Sequence, residues 1–406
     1  MTGPPADLLV VGGGPAGLAV AIRARQAGLS ATVLDRATPP IDKPCGEGIM
    51  PDGLARLGEL GVALPPEASA PFRGIRYLDG EVVAEGDFPG RATGPGADPA
   101  AASARGVGVR RTVLHRALVE RAEAVGVELR WGERATGLAP AAGGGPGEPP
   151  GVLVDTGVLR GRFLVGADGL RSKVRGWAGL EGRAAAPGDP HARFGVRRHY
   201  HLAPWSDRVE VHWADGCEAY VTPTGPELVG VAMLWSGGTA SFDGLLARFP
   251  ALARRLAGAP AASRDLGCGP LAQRPRRVGR GRIALVGDAS GYLDAITGEG
   301  LSLAFHQAFA LVEAVVAVEA GRARDLTPYD RAHRRLRRLP EALIRLLLLA
   351  ERRPWLRRRA IRALAADRAL FERLLGLHAG TLPVSVLGLS GTLRLGGRLA
   401  WRLASA

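Results

Sequence analysis

The sequence predicts an α/β fold: a parallel sheet started by a strand–turn–helix–strand unit, an inserted antiparallel β-sheet, and a helical C-terminus. Three observations carry this. The segment "DLLVVGGGPAGLAVAIRARQAGLSATVLDR" reads as strand, glycine turn, helix and strand. Residues 193–235 hold four strand-like runs, "RFGVRRHYH", "RVEVHW", "EAYVTP" and "LVGVAMLW". From "GEGLSLAFHQAFALVEAVVAV" onward the chain reads as a long helix followed by further helices.

The 406 residues suffice for one large or two medium domains with a proper core. At 46% hydrophobic and 23% charged, the composition is that of a soluble globular protein. Lys43 and Lys173 are the only lysines, which reads as genome composition. Three cysteines, Cys45, Cys217 and Cys268, are too few and too scattered for a disulfide framework or a zinc site, and no metal is expected. The N-terminus enters an apolar strand with no basic region before it, so no signal peptide is read there. No uninterrupted apolar run reaches the roughly 18 residues of a membrane span. A reducing cytoplasm is the expected location.

The net charge of +14 is uneven. From Arg331 to the end, seventeen arginines face four acidic residues, so this segment carries +13 and the first 330 residues are close to neutral. That argues against nucleic acid as a partner, and no aromatic-basic recognition motif appears. The segment "LIRLLLLAERRPWLRRRAIRALAADRALFERLLGL" is amphipathic. It reads either as a solvated helical face packed on the body or as a dock for an anionic membrane surface.

In chain order, Leu8 to Val11 form an apolar strand, and a helical pattern from Pro15 to Ala27 ends at Gly28 before "ATVLD". Asp52 to Leu60 read as helix, and "GIRYLDGEVVAEGDF" as a hairpin turning at Asp-Gly. Pro89 to Gly106 is a Gly/Pro/Ala-rich loop or lid. "RRTVLHRALVERAEAVG" is a helix, "VELRW" a strand, and a meander follows to about Val154, broken by "APAAGGGPGEPPG". "RFLVGADGLRSKVR" runs from strand into polar turn, and Phe242 to Ala257 read as one helix.

Gly12, Gly14 and Gly17 form G-x-G-x-x-G between strand and helix, with Ala16 inside it, and Asp35, followed by Arg36, ends the next strand. Glycines there make a tight turn, admit a pyrophosphate and let helix pack on strand. The helix N-terminus favours phosphate charge, and the acid suits a ribose hydroxyl. The N-terminal position and the form "VVGGGPAG" point to FAD.

Two further segments, "GADG" at 166–169 continuing "LRSKVR", and "GDASGYLDAITGEG" at 287–300, follow strands. With all three in order and spacing, the chain resembles a flavoprotein group. That group includes the aromatic hydroxylases of the p-hydroxybenzoate hydroxylase type, the geranylgeranyl reductases and the flavin-dependent halogenases. The resemblance covers about residues 7–320. It implies a Rossmann-type FAD-binding domain of residues 1–75, 107–180 and 270–325, a substrate domain of 76–106 and 181–269, and a basic helical region of 326–406.

The resemblance also implies roles. Asp288 would bond the ribityl chain. Gly298 and Gly300, with Leu301, would open a helix toward the flavin pyrimidine edge, where a helix N-terminus stabilises the charge of reduced flavin. Asp168 and Gly169 would lie near the cofactor and the nicotinamide approach, with turn capping the alternative for Asp168. Arg111 resembles the arginine near the ribityl–phosphate part, and Ala135 the position facing the adenine. "KPCGEG", holding Cys45 and Gly46, resembles the Gly-rich segment against the flavin ring. Backbone packing on a flat ring and a redox role for Cys45 both remain open, although no neighbouring second cysteine supports disulfide chemistry.

There is no second G-x-G-x-x-G, so reducing equivalents would come transiently from NAD(P)H or from a partner. The halogenase Trp-x-Trp-x-Ile-Pro motif is absent. Of the geranylgeranyl reductase element Tyr-x-Trp-x-Phe-Pro, only Tyr220 and Pro223 remain. The substrate is expected between flavin and antiparallel sheet. Tyr220 and Glu47 are the catalytic candidates; His199, His201 and His212 are further polar candidates. The expected activity is FAD-dependent monooxygenation, hydroxylation or epoxidation, of a small lipophilic aromatic, polyketide or isoprenoid substrate. An alkene reductase and a non-catalytic lipid carrier are the alternatives.

Overall fold

The computed structural model describes residues 5–90, 104–139, 149–186, 188–189 and 191–382. The expected lid at 89–106 and the loop at 139–151 therefore lie largely outside the described residues.

Strand Ala6–Val11 stands at the centre of an eight-stranded sheet, paired in parallel with Ala31–Asp35 on one side and Gly157–Gly166 on the other. Glu128–Trp131 extends one edge and Ile283–Leu285 the other, both in parallel. Leu8, Leu9 and Val10 are fully buried, as parallel strands covered on both faces require. Helix α1 (Pro15–Gln26) begins with Pro15 at its first position, where a missing N–H costs nothing. Its small residues Gly17, Ala19 and Ala21 bury fully, letting it lie close on the sheet. Helices α2 (Pro51–Glu59) and α3 (Arg111–Ala124) follow; α3 buries Leu114, Leu118 and Ala122, spaced by four. Helix α4 (Lys173–Trp177) is capped by Ser172, whose hydroxyl accepts from the Arg175 N–H.

The second sheet has seven strands. Its order is Leu266–Cys268, Arg193–His201, Leu228–Ser236, Cys217–Gly225, Val209–Ala214, Gly74–Asp79, Val82–Asp87. All four expected strands are present. The 74–87 hairpin joins them through one parallel pairing, Val209↔Ile75 to His212↔Leu78, in an otherwise antiparallel sheet. The single helix expected over 242–257 is two: α5 (Phe242–Leu246) and α6 (Pro250–Leu256). Pro250 is the reason, since it starts a new helix and drives Phe249 out of helical backbone.

Helix α7 (Gly300–Glu319) is long and apolar enough to cross a membrane, but 61% of its apolar window is buried inside the protein, with Phe305, Ala308, Leu311 and Val315 in the core of the first sheet. Helices α8 (Thr327–Glu351), α9 (Pro354–Ala366) and α10 (Arg368–His378) cap the second sheet. Ile344, Ile361, Phe371 and Leu375 share one core with Phe72, Ile75, Trp213 and Leu234. Each such side chain contributes about 1.5–3 kcal/mol on burial, enough to fix the cap.

Candidate active site

One cavity of about 390 Å³ runs from the N-terminal glycine turn to the cap. Its floor is Gly14, Pro15, Ala16, Arg111, Ala167, Gly169, Gly287 and Asp288. Its middle is the 43–48 segment and the start of α7, and its far end is the second sheet with Leu343, Leu347, Leu356, Leu364, Phe371 and Leu375 of the cap.

The floor is built by close backbone approach. Gly12 has φ +112°, and a Cβ there would lie 2.4 Å from the Ala167 carbonyl oxygen. A Cβ on Gly17 would lie 1.9 Å from the Gly12 oxygen, so α1 reaches the turn only because Gly17 has none. Above Gly14 and Gly46 the space is open. Asp35 accepts from the Gly13 N–H at 2.8 Å and the Ala37 N–H at 2.9 Å, so the acid first of all braces the turn. Arg36 points to solvent, and Ala135 packs half-buried against the core of the first sheet; neither lines the cavity.

Asp168 accepts from the Ser172 hydroxyl at 2.6 Å and from the Lys173 and Val174 N–H groups at 2.6 and 3.1 Å. This is the turn-capping alternative: its neighbours Ala167 and Gly169 line the cavity, and it does not. Asp288 differs. It is exposed, lines the cavity and has no side-chain partner among the described residues. Thr297, Gly298, Gly300 and Leu301 bring the N-terminus of the 20-residue α7 to the same wall.

The 42–48 segment is held from behind. Glu47 is 2% exposed at φ +60°, a strained backbone for a residue with a side chain. Its carboxylate bonds His199 Nε2, accepts from the Arg111 N–H at 2.9 Å and lies 3.7 Å from Arg197. Arg197 in turn donates to Asp42 at 2.6 Å. Thr222 donates to the Gly46 carbonyl at 2.8 Å. Glu47, expected as a catalytic group, is thus committed to protein partners and positions the segment; His199 supports it and does not reach the cavity. His201 is exposed and His212 bonds Glu210, both away from the cavity.

Cys45 faces the cavity, with the Glu47 N–H at 3.3 Å and Arg111 Nη1 at 3.9 Å from its sulfur. Burial pushes its thiol up despite the Arg111 charge, so it stays protonated. Tyr220 lines the cavity, and its hydroxyl donates to the Ile296 carbonyl at 2.9 Å, tying the second sheet to the loop before α7. Burial pushes that phenol well above its usual range.

Sequence reasoning missed Tyr77, Tyr292, Cys268 and His378 on the cavity wall. His378 of α10 pairs with Glu299 at 2.6 Å. Glu299 sits inside the "GEG" motif, which was the available signal.

These residues fit FAD. The cradle has a strained glycine turn at a helix N-terminus, an unpartnered acid for hydroxyls, and a second helix N-terminus beyond it. The comparisons agree: the family described as FAD binding domain matches residues 5–215. The chain belongs to this family.

It is 46% identical over 87 residues, 21% of each chain, to a menaquinone reductase of Mycobacterium tuberculosis. It is 32% identical over 189 residues to a rifampicin monooxygenase of Streptomyces venezuelae, covering 45% of this chain and 35% of that one. The chain thus matches about a fifth to a third of the length of these relatives. In structure it follows a flavoprotein/dehydrogenase of Cytophaga hutchinsonii with a TM-score of 0.78 at 16% identity, over 98% of both chains, which shows the fold.

Proposed function

We propose that the protein is an FAD-dependent monooxygenase, a hydroxylase or epoxidase, acting on a lipophilic aromatic, polyketide or isoprenoid substrate. Overall, substrate, O2, NAD(P)H and a proton give oxygenated substrate, water and NAD(P)+. The observation that carries the reading is the continuity of the apolar chamber with the FAD cradle. FAD, when bound, supplies the electron transfer and the activation of O2.

The chain's own residues do the rest. Gly14, Asp288 and the α7 N-terminus hold the cofactor. The Arg111–Glu47–His199 network fixes the 42–48 segment beside it. The leucines of α8 and α9 and Phe371 of α10 exclude water and place an apolar substrate. Tyr220 and Thr222 are committed to backbone carbonyls, so neither hydroxyl is set up as a general base. Oxygen insertion into an electron-rich ring or alkene asks for little more than position and dryness.

A second reading, saturation of an alkene, is favoured by one observation. Hydride addition requires a proton for the other carbon, and Cys45, held as a neutral thiol at the cavity wall, can give one. The likeness to a menaquinone reductase favours a reduction over an oxygenation, without naming the bond reduced.

The test is O2 and NAD(P)H consumption by the FAD-loaded protein against long-chain phenols and polyprenylated quinones. Substrate-stimulated O2 uptake at one mole per mole of NAD(P)H, without release of H2O2, supports the monooxygenase. NAD(P)H oxidation that proceeds equally without oxygen and yields reduced product refutes it.

A further inference from the structure

The corner between α8 and α9 concentrates exposed apolar surface. Among the described residues six large apolar side chains are exposed, and three of them, Leu346, Leu349 and Trp355, fall within residues 346–355. Trp355 is 60% exposed and Leu346 53%. A scattered exposed leucine is ordinary; a tryptophan with two leucines in one place is not.

The surroundings are cationic. Arg338, Ala342, Arg345 and Leu349 of α8, with Arg352 at its C-cap, recur at alternating spacings of four and three, so they share one face, and all are exposed. Arg353, Arg358 and Arg362 continue the exposed set onto α9. No ion pair involves Arg352, Arg353, Arg358 or Arg362 among the described residues. The acids nearby are consumed: Glu341 pairs with Arg337 and Arg345, and Glu351 is buried against Arg193. Nothing in the cap's packing needs this arrangement, because the core of the cap uses other faces, through Ile344, Ile361 and Phe371.

The cavity also reaches the surface at this corner. Leu346 is exposed and also lines the cavity, beside Leu347 on α8 and Leu356 on α9. Leu356 directly follows Trp355.

We propose that the α8–α9 corner docks on an anionic lipid bilayer, with Trp355 and Leu349 entering the interface and Arg352, Arg353 and Arg358 on lipid phosphates. Tryptophan at the headgroup level, apolar residues below it and arginines around them are what an interface of this chemistry binds. The docking stands independently of the reaction. That a lipophilic substrate then passes from the bilayer beside Leu346 into the cavity rests on the function proposed above.

The experiment is sedimentation of the full-length, FAD-loaded protein with vesicles of equal parts phosphatidylglycerol and phosphatidylcholine, and with phosphatidylcholine alone. The expected result is binding to the anionic vesicles that weakens with salt. Replacing Arg352, Arg353 and Arg358 by Gln should each lower it about fivefold at low salt, and together about a hundredfold. Trp355→Glu with Leu349→Glu should lower it at least tenfold, by order of magnitude. FAD absorbance reports folding in every variant. Brominated lipid should quench part of the wild-type tryptophan emission, and Trp355→Phe should remove that part. Absence of binding to anionic vesicles, equal binding to both vesicle types, or no quenching assigned to Trp355 overturns the proposal. So does a concentration-dependent dimer that is abolished by Trp355→Glu with Leu349→Glu in a protein that ignores vesicles, since a second copy would then be the occupant. None of these readouts depends on turnover.

Discussion

Arg193 offers the sharpest energetic prediction. It is 5% exposed, on the strand Arg193–His201, and three carboxylates converge on it. Glu218 comes from a strand of the same sheet, Asp294, at 3.0 Å, from the loop before α7, and Glu351, at 3.4 Å, from the last residue of α8. One guanidinium therefore joins sheet, cofactor loop and cap. Burial pushes Glu218 up from 4.5 to about 7, and Arg193 limits the rise. A carboxyl whose folded pKa is raised adds stability that is fully present below 4.5. That stability is lost as pH rises through about 7.

Arg193→Met removes the counter-charge. At pH 8 this should cost about 3–5 kcal/mol, the usual result of breaking a buried ion pair from one side. Every unit by which the cluster's carboxyl pKa rises further adds about 1.36 kcal/mol above that pKa. At pH 5 Glu218 already holds its proton, so its share of the cost falls to lost hydrogen bonds, on the order of 1–2 kcal/mol, and the total is smaller than at pH 8. Urea unfolding followed by circular dichroism at both pH values measures the difference. An equal loss at pH 5 and pH 8, or a larger one at pH 5, would refute the reasoning.

Other outcomes follow from the cradle and the cap. Gly17→Ala puts a Cβ 1.9 Å from the Gly12 oxygen and should leave the purified protein with little FAD, read from its absorbance near 450 nm by order of magnitude. Asp288→Ala removes an unpartnered charged acceptor and should weaken FAD about ten- to a hundredfold, measured by flavin fluorescence titration. His378 is lowered by burial, but the Glu299 charge and hydrogen bond raise it more, so its net shift is upward. The stability it gives the cap is present below its ordinary value of 6.5 and lost as pH rises through the raised one. Proteolysis of α10 should therefore accelerate above neutral pH in the wild type and lose that dependence in His378→Gln.

The parts of the fold legible in sequence are those written in local pattern. The Gly12–Gly17 turn, the helix opening at Arg111, the Asp-Gly hairpin and the four strands of 193–236 each follow from spacing that neighbouring residues share. Pairings across the chain were not legible. The register Val209↔Ile75 joins residues more than a hundred positions apart, and no periodicity records it. The site divides the same way. Asp288 and the α7 N-terminus stand at the cavity as the motifs imply. Asp168 and Glu47 carry the right chemistry, but their partners, Ser172 in one case and His199 in the other, turn both toward holding backbone. The Pro250 break was readable, since a proline cannot continue a helix, and the apolar run around it hid that. The cap's place on the cavity depended on which face of α8 meets the second sheet, and its amphipathic pattern allows a core or a bilayer equally.

The proposed activity is insertion of oxygen into a lipophilic substrate in the chamber above the FAD cradle. The direct measurement is mass analysis of product formed by the FAD-loaded protein with NAD(P)H under 18O2, using a long-chain phenol and a polyprenylated quinone as substrates. The account predicts a product carrying one 18O atom. A product carrying no 18O and heavier by two hydrogens in its side chain, formed equally without oxygen, would contradict it and assign the chamber to alkene reduction.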